Sequence, residues 1–186
     1  MDINRAMLWN GLTNLGDTVK LKLKVDPWEC VRDLEQFKDN WCPYNVKKDK
    51  VNNRWGLPIT SHSGDVMDNY HLNSFGHMQR YHDVEMKEEN FTTPTEVYHK
   101  MPQLAKLVDV FSPDIGRVHL LRVDQGGFFP PHRDWRSIEK QPSFRILVPI
   151  KDCNPNKLYF IYDGKILNFN YGVPYFVNTN KEHCIF

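Results

Sequence analysis

After Pro113 the sequence breaks into short runs of β-branched and aromatic residues: RVHLLRVD (117–124), FRILVPI (144–150), KLYFIYD (157–163), KILNFN (165–170) and VPYFVN (173–178). Runs of this length form strands rather than helices. Asp163-Gly164 between two of them is a strong signal for a tight antiparallel hairpin. Closely spaced antiparallel strands predict a double-sheet jelly roll, mainly β, with helices packed as support.

The residues ahead of this region read differently. DTVKLKLKV (17–25) alternates Val19, Leu21, Leu23 and Val25 with polar residues, the mark of a half-exposed strand. Asp26 as N-cap and Pro27 at the first helical position open a helix. Trp28, Val31, Leu34 and Phe37 recur along it at helical spacing. Residues 43 to 92 are rich in Asn, His, Gly and Ser and show no periodicity, as expected of a functional or mobile loop region. TPTE (93–96) offers a capping box before VYHKMPQLAKLVDVF, a helix that Pro102 should break or kink. The expected organisation is one domain over 1–186, with helical and irregular support and entrance loops in 1–113 and the β core in 114–186.

Composition narrows the partners. A formal net charge of +1 over 186 residues offers no basic face for nucleic acid or an acidic membrane. The Lys47-Lys48-Asp49-Lys50 cluster reads as a solvated loop. Cys30, Cys42, Cys153 and Cys184 are far apart and form no C-x-x-C pair, so free thiols in a reducing compartment are the expectation. No targeting signal, lipidation motif or long apolar run is present, which predicts a soluble, intracellular, cytoplasmic protein. Oligomeric state is not legible.

Chemistry concentrates in GGFFPPHRDW (126–135). In an extended segment His132 and Asp134, at i and i+2, point to the same side, so both can meet one ion. Pro130 and Pro131 restrict the approach, and Gly126 and Gly127 allow a sharp turn before it. His183, roughly fifty residues further on and directly after the last clear strand, is the best third ligand. Two histidines and a carboxylate on one face suit non-haem Fe(II), leaving open positions for substrate and oxygen. HRD also opens the protein-kinase catalytic loop. That loop needs Asn where this chain has Glu139, and no glycine-rich phosphate loop or D-F-G is present.

RVHLLRVDQGGFFPPHRDW…FRILVPIKD…VPYFVNTNKEHCIF, over about residues 115 to 186, resembles the iron(II)- and 2-oxoglutarate-dependent oxygenases, in their aspartyl/asparaginyl β-hydroxylase-like branch. The resemblance implies a cupin-like double-stranded β-helix with His132, Asp134 and His183 on the iron. It also implies 2-oxoglutarate as cosubstrate and O2 as oxidant. Arg145, inside FRILVPI, faces opposite to Phe144 and Ile146. The resemblance implies that its guanidinium holds a cosubstrate carboxylate. An ion pair with a neighbouring acid, or an exposed strand face, are the other readings. Most members carry an Arg on a final strand about ten residues past the distal His. This chain stops at Phe186, so that strand and its Arg are expected to be missing.

Candidate substrate contacts are Trp135 beside the ligand segment, Arg122, and Arg54 with Asn53 and Trp55 in the loop region. The histidines at 62, 71, 77, 82 and 99 show no ligand spacing, and His119 reads as a satisfied core histidine. The expected activity is hydroxylation of a C–H bond in an amino acid or protein side chain, on a small-molecule or peptide/protein substrate. The alternatives are a cupin-like metal-binding or scaffold domain without turnover, and an iron dioxygenase that does not use 2-oxoglutarate.

Overall fold

A computed structural model describes residues 3–44, 53–68, 87–112, 114–134, 145–154 and 156–186. The helices are α1 (Ile3–Leu15), α2 (Pro27–Leu34), α3 (Glu96–Lys100) and α4 (Pro102–Val110). The first strands are β1 (Thr18–Lys20), β2 (Cys42–Pro43), β3 (Arg54–Pro58), β4 (Thr60–Ser61), β5 (Thr93–Pro94) and β6 (His119–Val123). They are followed by β7 (Phe129–His132), β8 (Arg145–Leu147), β9 (Phe160–Tyr162), β10 (Lys165–Leu167), β11 (Tyr175–Val177) and β12 (His183–Ile185). The fold is thus mainly β-sheet with a few helices. Among the described residues no helix is long and apolar enough to cross a membrane.

The chain divides into two compact units, Met1–Val31 with Phe129–Phe186, and Arg32–Phe128. The change of sequence pattern near residue 113 is therefore not where the units divide: β6 pairs with β3, inside the second unit.

In the first unit, β11 lies between β1 and β8 in an antiparallel sheet, and a second antiparallel sheet runs β10-β9-β12-β7. From β7 to β12 the chain passes between these sheets, with only the β9–β10 hairpin staying in one. At that hairpin Asp163 and Gly164 have φ of +47° and +74°, the positive pair that a type I′ turn requires. Phe160, Tyr162 and Val177 form the buried cluster shared by the two sheets, with Leu147, Leu167, Phe169, Tyr175 and Ile185 packed against it. Phe176, on the opposite face of β11, meets the edge of Trp9 from α1.

The strand expected over 17–25 is regular only to Lys20. Leu21 N still donates to Pro174 O, and Val25 N to Gly172 O. Pro174 has no N–H to return, so the ladder cannot continue. Gly172 (φ +69°) is where the chains come closest, since a Cβ there would sit 2.2 Å from Val25 O. Helix α2 begins as the sequence indicates, with Asp26 Oδ1 accepting from Trp28 N and Glu29 N.

The second unit holds the sheet β2-β3-β6 and the pair β4-β5. Apart from β6, which lies in the run RVHLLRVD, these strands occupy part of the region read as helical and irregular, namely β2, β3, β4 and β5. They are two to five residues long, too short to print a period. At α3 the cap is Thr95 rather than Thr93: its Oγ1 accepts from Val97 N and donates to Pro58 O at 2.8 Å. Thr93 and Pro94 form β5 instead. The helix ends at Met101, and Pro102 starts α4 where its missing N–H costs nothing.

Candidate metal centre

His132 closes β7, which is an edge strand among the described residues and whose register against β12 shifts between His132 and Phe129; prolines are tolerated at such edges and bulges. It stands directly opposite His183 on β12, and the two rings lie 4.3 Å apart between centroids. Asp134 follows two residues later, and its N–H donates to Thr179 O at 2.8 Å. One donor atom from each of His132, Asp134 and His183 falls within 4.8 Å of the other two. His183 is buried, whereas His132 and Asp134 are half-buried.

Both imidazoles are oriented in the same way. His132 Nδ1 lies 2.7 Å from Pro130 O, and His183 Nδ1 lies 3.0 Å from Lys181 O. A carbonyl only accepts, so each Nδ1 carries a proton, and in the neutral ring the lone pair falls on Nε2. This is the tautomer a metal needs, held by the sort of outer hydrogen bond that fixes a ligand ring. The donor set is two imidazole nitrogens and one carboxylate, the kind of set that holds a divalent first-row metal.

Asp134 uses its two oxygens differently. Oδ1 lies 3.7 Å from His132 Nε2, and Oδ2 receives Arg145 Nε at 3.1 Å. Burial pushes this carboxyl upward, but Arg145, His183, Thr179 and His132 together hold it below the ordinary carboxylate value. His183 is lowered, chiefly because burial disfavours the imidazolium. Both groups thus stay in their ligand forms at neutral pH.

This sets a pH dependence. As pH falls, the unfolded chain protonates at the ordinary histidine value of 6.5 before His183 does in the folded state. Its contribution to stability is complete above that value and declines below it. Melts of metal-free protein at about pH 7.5 and about pH 5.5 should show a lower midpoint at the acid pH, and His183→Ala should narrow the gap.

Arg145 sits on β8 opposite Val177 of β11, on the same inward face. Of the readings its sequence position left open, the ion pair with a neighbouring acid is the one the geometry contains. Arg122 and Arg54 belong to the second unit. The Arg122 guanidinium lies over Trp41 (4.8 Å) and Trp55 (5.4 Å) with Asp124 Oδ1 at 3.1 Å, and Arg54 lies over Tyr44. Trp135, His71, His77, His82 and the 47–50 lysine cluster lie outside the described residues. His62, His99 and His119 each pack against an aromatic ring.

The reading of side chains does not reveal what the turn between β11 and β12 contributes. Asn178 and Asn180 mark it as a turn. Its contribution, though, is made by the Thr179 and Lys181 carbonyls, which any residue type could supply. Tyr162 OH donates to Asn178 O at 2.9 Å; burial and the carboxylates of Asp17 and Asp163 push that phenol up to about 12, so it remains a donor. The chain matches no protein-family model and no curated protein.

Proposed function

We propose that the protein is a non-haem Fe(II)- and 2-oxoglutarate-dependent oxygenase of the aspartyl/asparaginyl β-hydroxylase-like kind, acting on a C–H bond of an amino acid or protein side chain. The observation that carries the reading is the meeting of His132, Asp134 and His183, with both Nε2 atoms presented, on the inward side of two facing sheets. The passage of β7 to β12 between the sheets supports a double-stranded β-helix. The resemblance over about 115–186 supplies the cosubstrate and the reaction class.

In this reading His132, Asp134 and His183 hold Fe(II), which together with 2-oxoglutarate and O2 supplies the oxidising chemistry. Arg145 adds positive charge beside the centre for a cosubstrate carboxylate. Phe160, which stacks on His183, and Phe169 beside it form an apolar wall that excludes water.

A second reading, a metal-binding domain without turnover or a dioxygenase that does not use 2-oxoglutarate, is favoured by one observation. Arg145 already spends its Nε on Asp134. The two readings separate under anaerobic conditions. The oxygenase reading expects a visible charge-transfer band when Fe(II) and 2-oxoglutarate are added together, absent with either alone, and weaker 2-oxoglutarate binding in Arg145→Ala. Fe(II) binding without that band would leave the second reading standing.

A further inference from the structure

The ligand arms meet in one short turn, residues 178 to 182 between β11 and β12. It offers Thr179 O to Asp134 N at 2.8 Å and Lys181 O to His183 Nδ1 at 3.0 Å. So two of the three ligands take their placement from carbonyls of this segment. The turn is held in its own right from far away in the chain. Asp17, just before β1, accepts Asn178 N at its carbonyl (2.8 Å) and Asn178 Nδ2 at Oδ1 (3.0 Å), while its Oδ2 pairs with the Lys181 ammonium. Lys181 also reaches Asp163 at 3.6 Å.

We infer that Asp17 is a positioning residue of the metal centre: by gripping Asn178 and Lys181 it sets where the Thr179 and Lys181 carbonyls stand, and through them the His183 ring and the Asp134 backbone. The inference rests on the reading of the triad as a metal site and is independent of the cosubstrate. Asp17 touches no ligand itself. Its effect is on the fraction of time the His183 ring spends with Nε2 aimed inward, the form of control that outer partners exert on metal affinity.

Two measurements test it: titration with Co(II) alone, and the His183 Nδ1–H proton signal of the metal-free protein. Wild type is expected to bind one equivalent of Co(II) and to show a slowly exchanging Nδ1–H. Asp17→Ala should bind Co(II) about tenfold more weakly, within the range for loss of an outer partner, and lose the proton signal to exchange. Asp17→Asn keeps an Oδ1 acceptor for Asn178 and should fall between the two. Where Asp17→Ala does not fold, Asp17→Asn decides by the same two readouts. Unchanged affinity together with an undisturbed Nδ1–H would overturn the role of Asp17 while leaving the metal site intact. A wild type that binds no Co(II) would sink the metal reading and the inference with it.

Discussion

Changing Asp134 to alanine is expected to weaken binding of a divalent metal by more than about 100-fold, beyond the loss that removing an outer partner causes. The variant loses the only anionic donor of the cluster. It also removes the carboxylate that receives Arg145 Nε, and with it the negative charge between that guanidinium and the position of a dication. Asp134→Asn, which keeps the shape and one oxygen but not the charge, should fall between wild type and alanine. Calorimetric titration with Co(II) measures both. An alanine variant binding within about threefold of wild type would remove the cluster as a metal site, since every ligand of three should cost at least what an outer partner costs.

The largest stability effect is expected at Phe176. Its side chain is fully buried in the middle strand of the β1-β11-β8 sheet, where it meets the Trp9 edge at 6.1 Å. Truncation to alanine removes that packing and leaves a cavity under α1, costing about 3–5 kcal/mol. Urea unfolding followed by circular dichroism measures the loss. A loss below about 1 kcal/mol would mean that the helix settles into the space, contrary to the partial collapse usual in cores. Because Val177 runs straight into the 178–182 turn, the variant also tests whether the sheet and the ligand turn unfold together.

What was legible in the sequence follows from how local each signal is. The hairpin at Asp163-Gly164 needs only a residue pair tolerant of positive φ, and it forms where expected. His132 and Asp134 belong together because a two-residue step in an extended chain keeps side chains on one face, and they meet His183 as the spacing proposed. β3 escaped notice because RWGLP contains glycine and proline and is buried over its last three residues, so no alternation is printed. The strand β1 stops at Lys20 although its alternation runs to Val25, because the obstacle, Pro174, belongs to its partner and not to itself. Asp17 carries no mark of its role. Its bond to Asn178 spans 161 residues, and the groups it steadies are main-chain carbonyls. Arg145 is the intermediate case: alternation gave its direction, but which acid or ligand it would meet depends on a fold that places Asp134 beside it.

The twin prolines of β7 have a consequence away from the ligands. Pro130 and Pro131 are both exposed on β7, the outermost strand of their sheet among the described residues. A stray extended peptide, or the same segment of another molecule, would meet a run of backbone donors broken by proline where it tried to zip on. The rim that carries His132 is thereby a poor template for fibrillar growth.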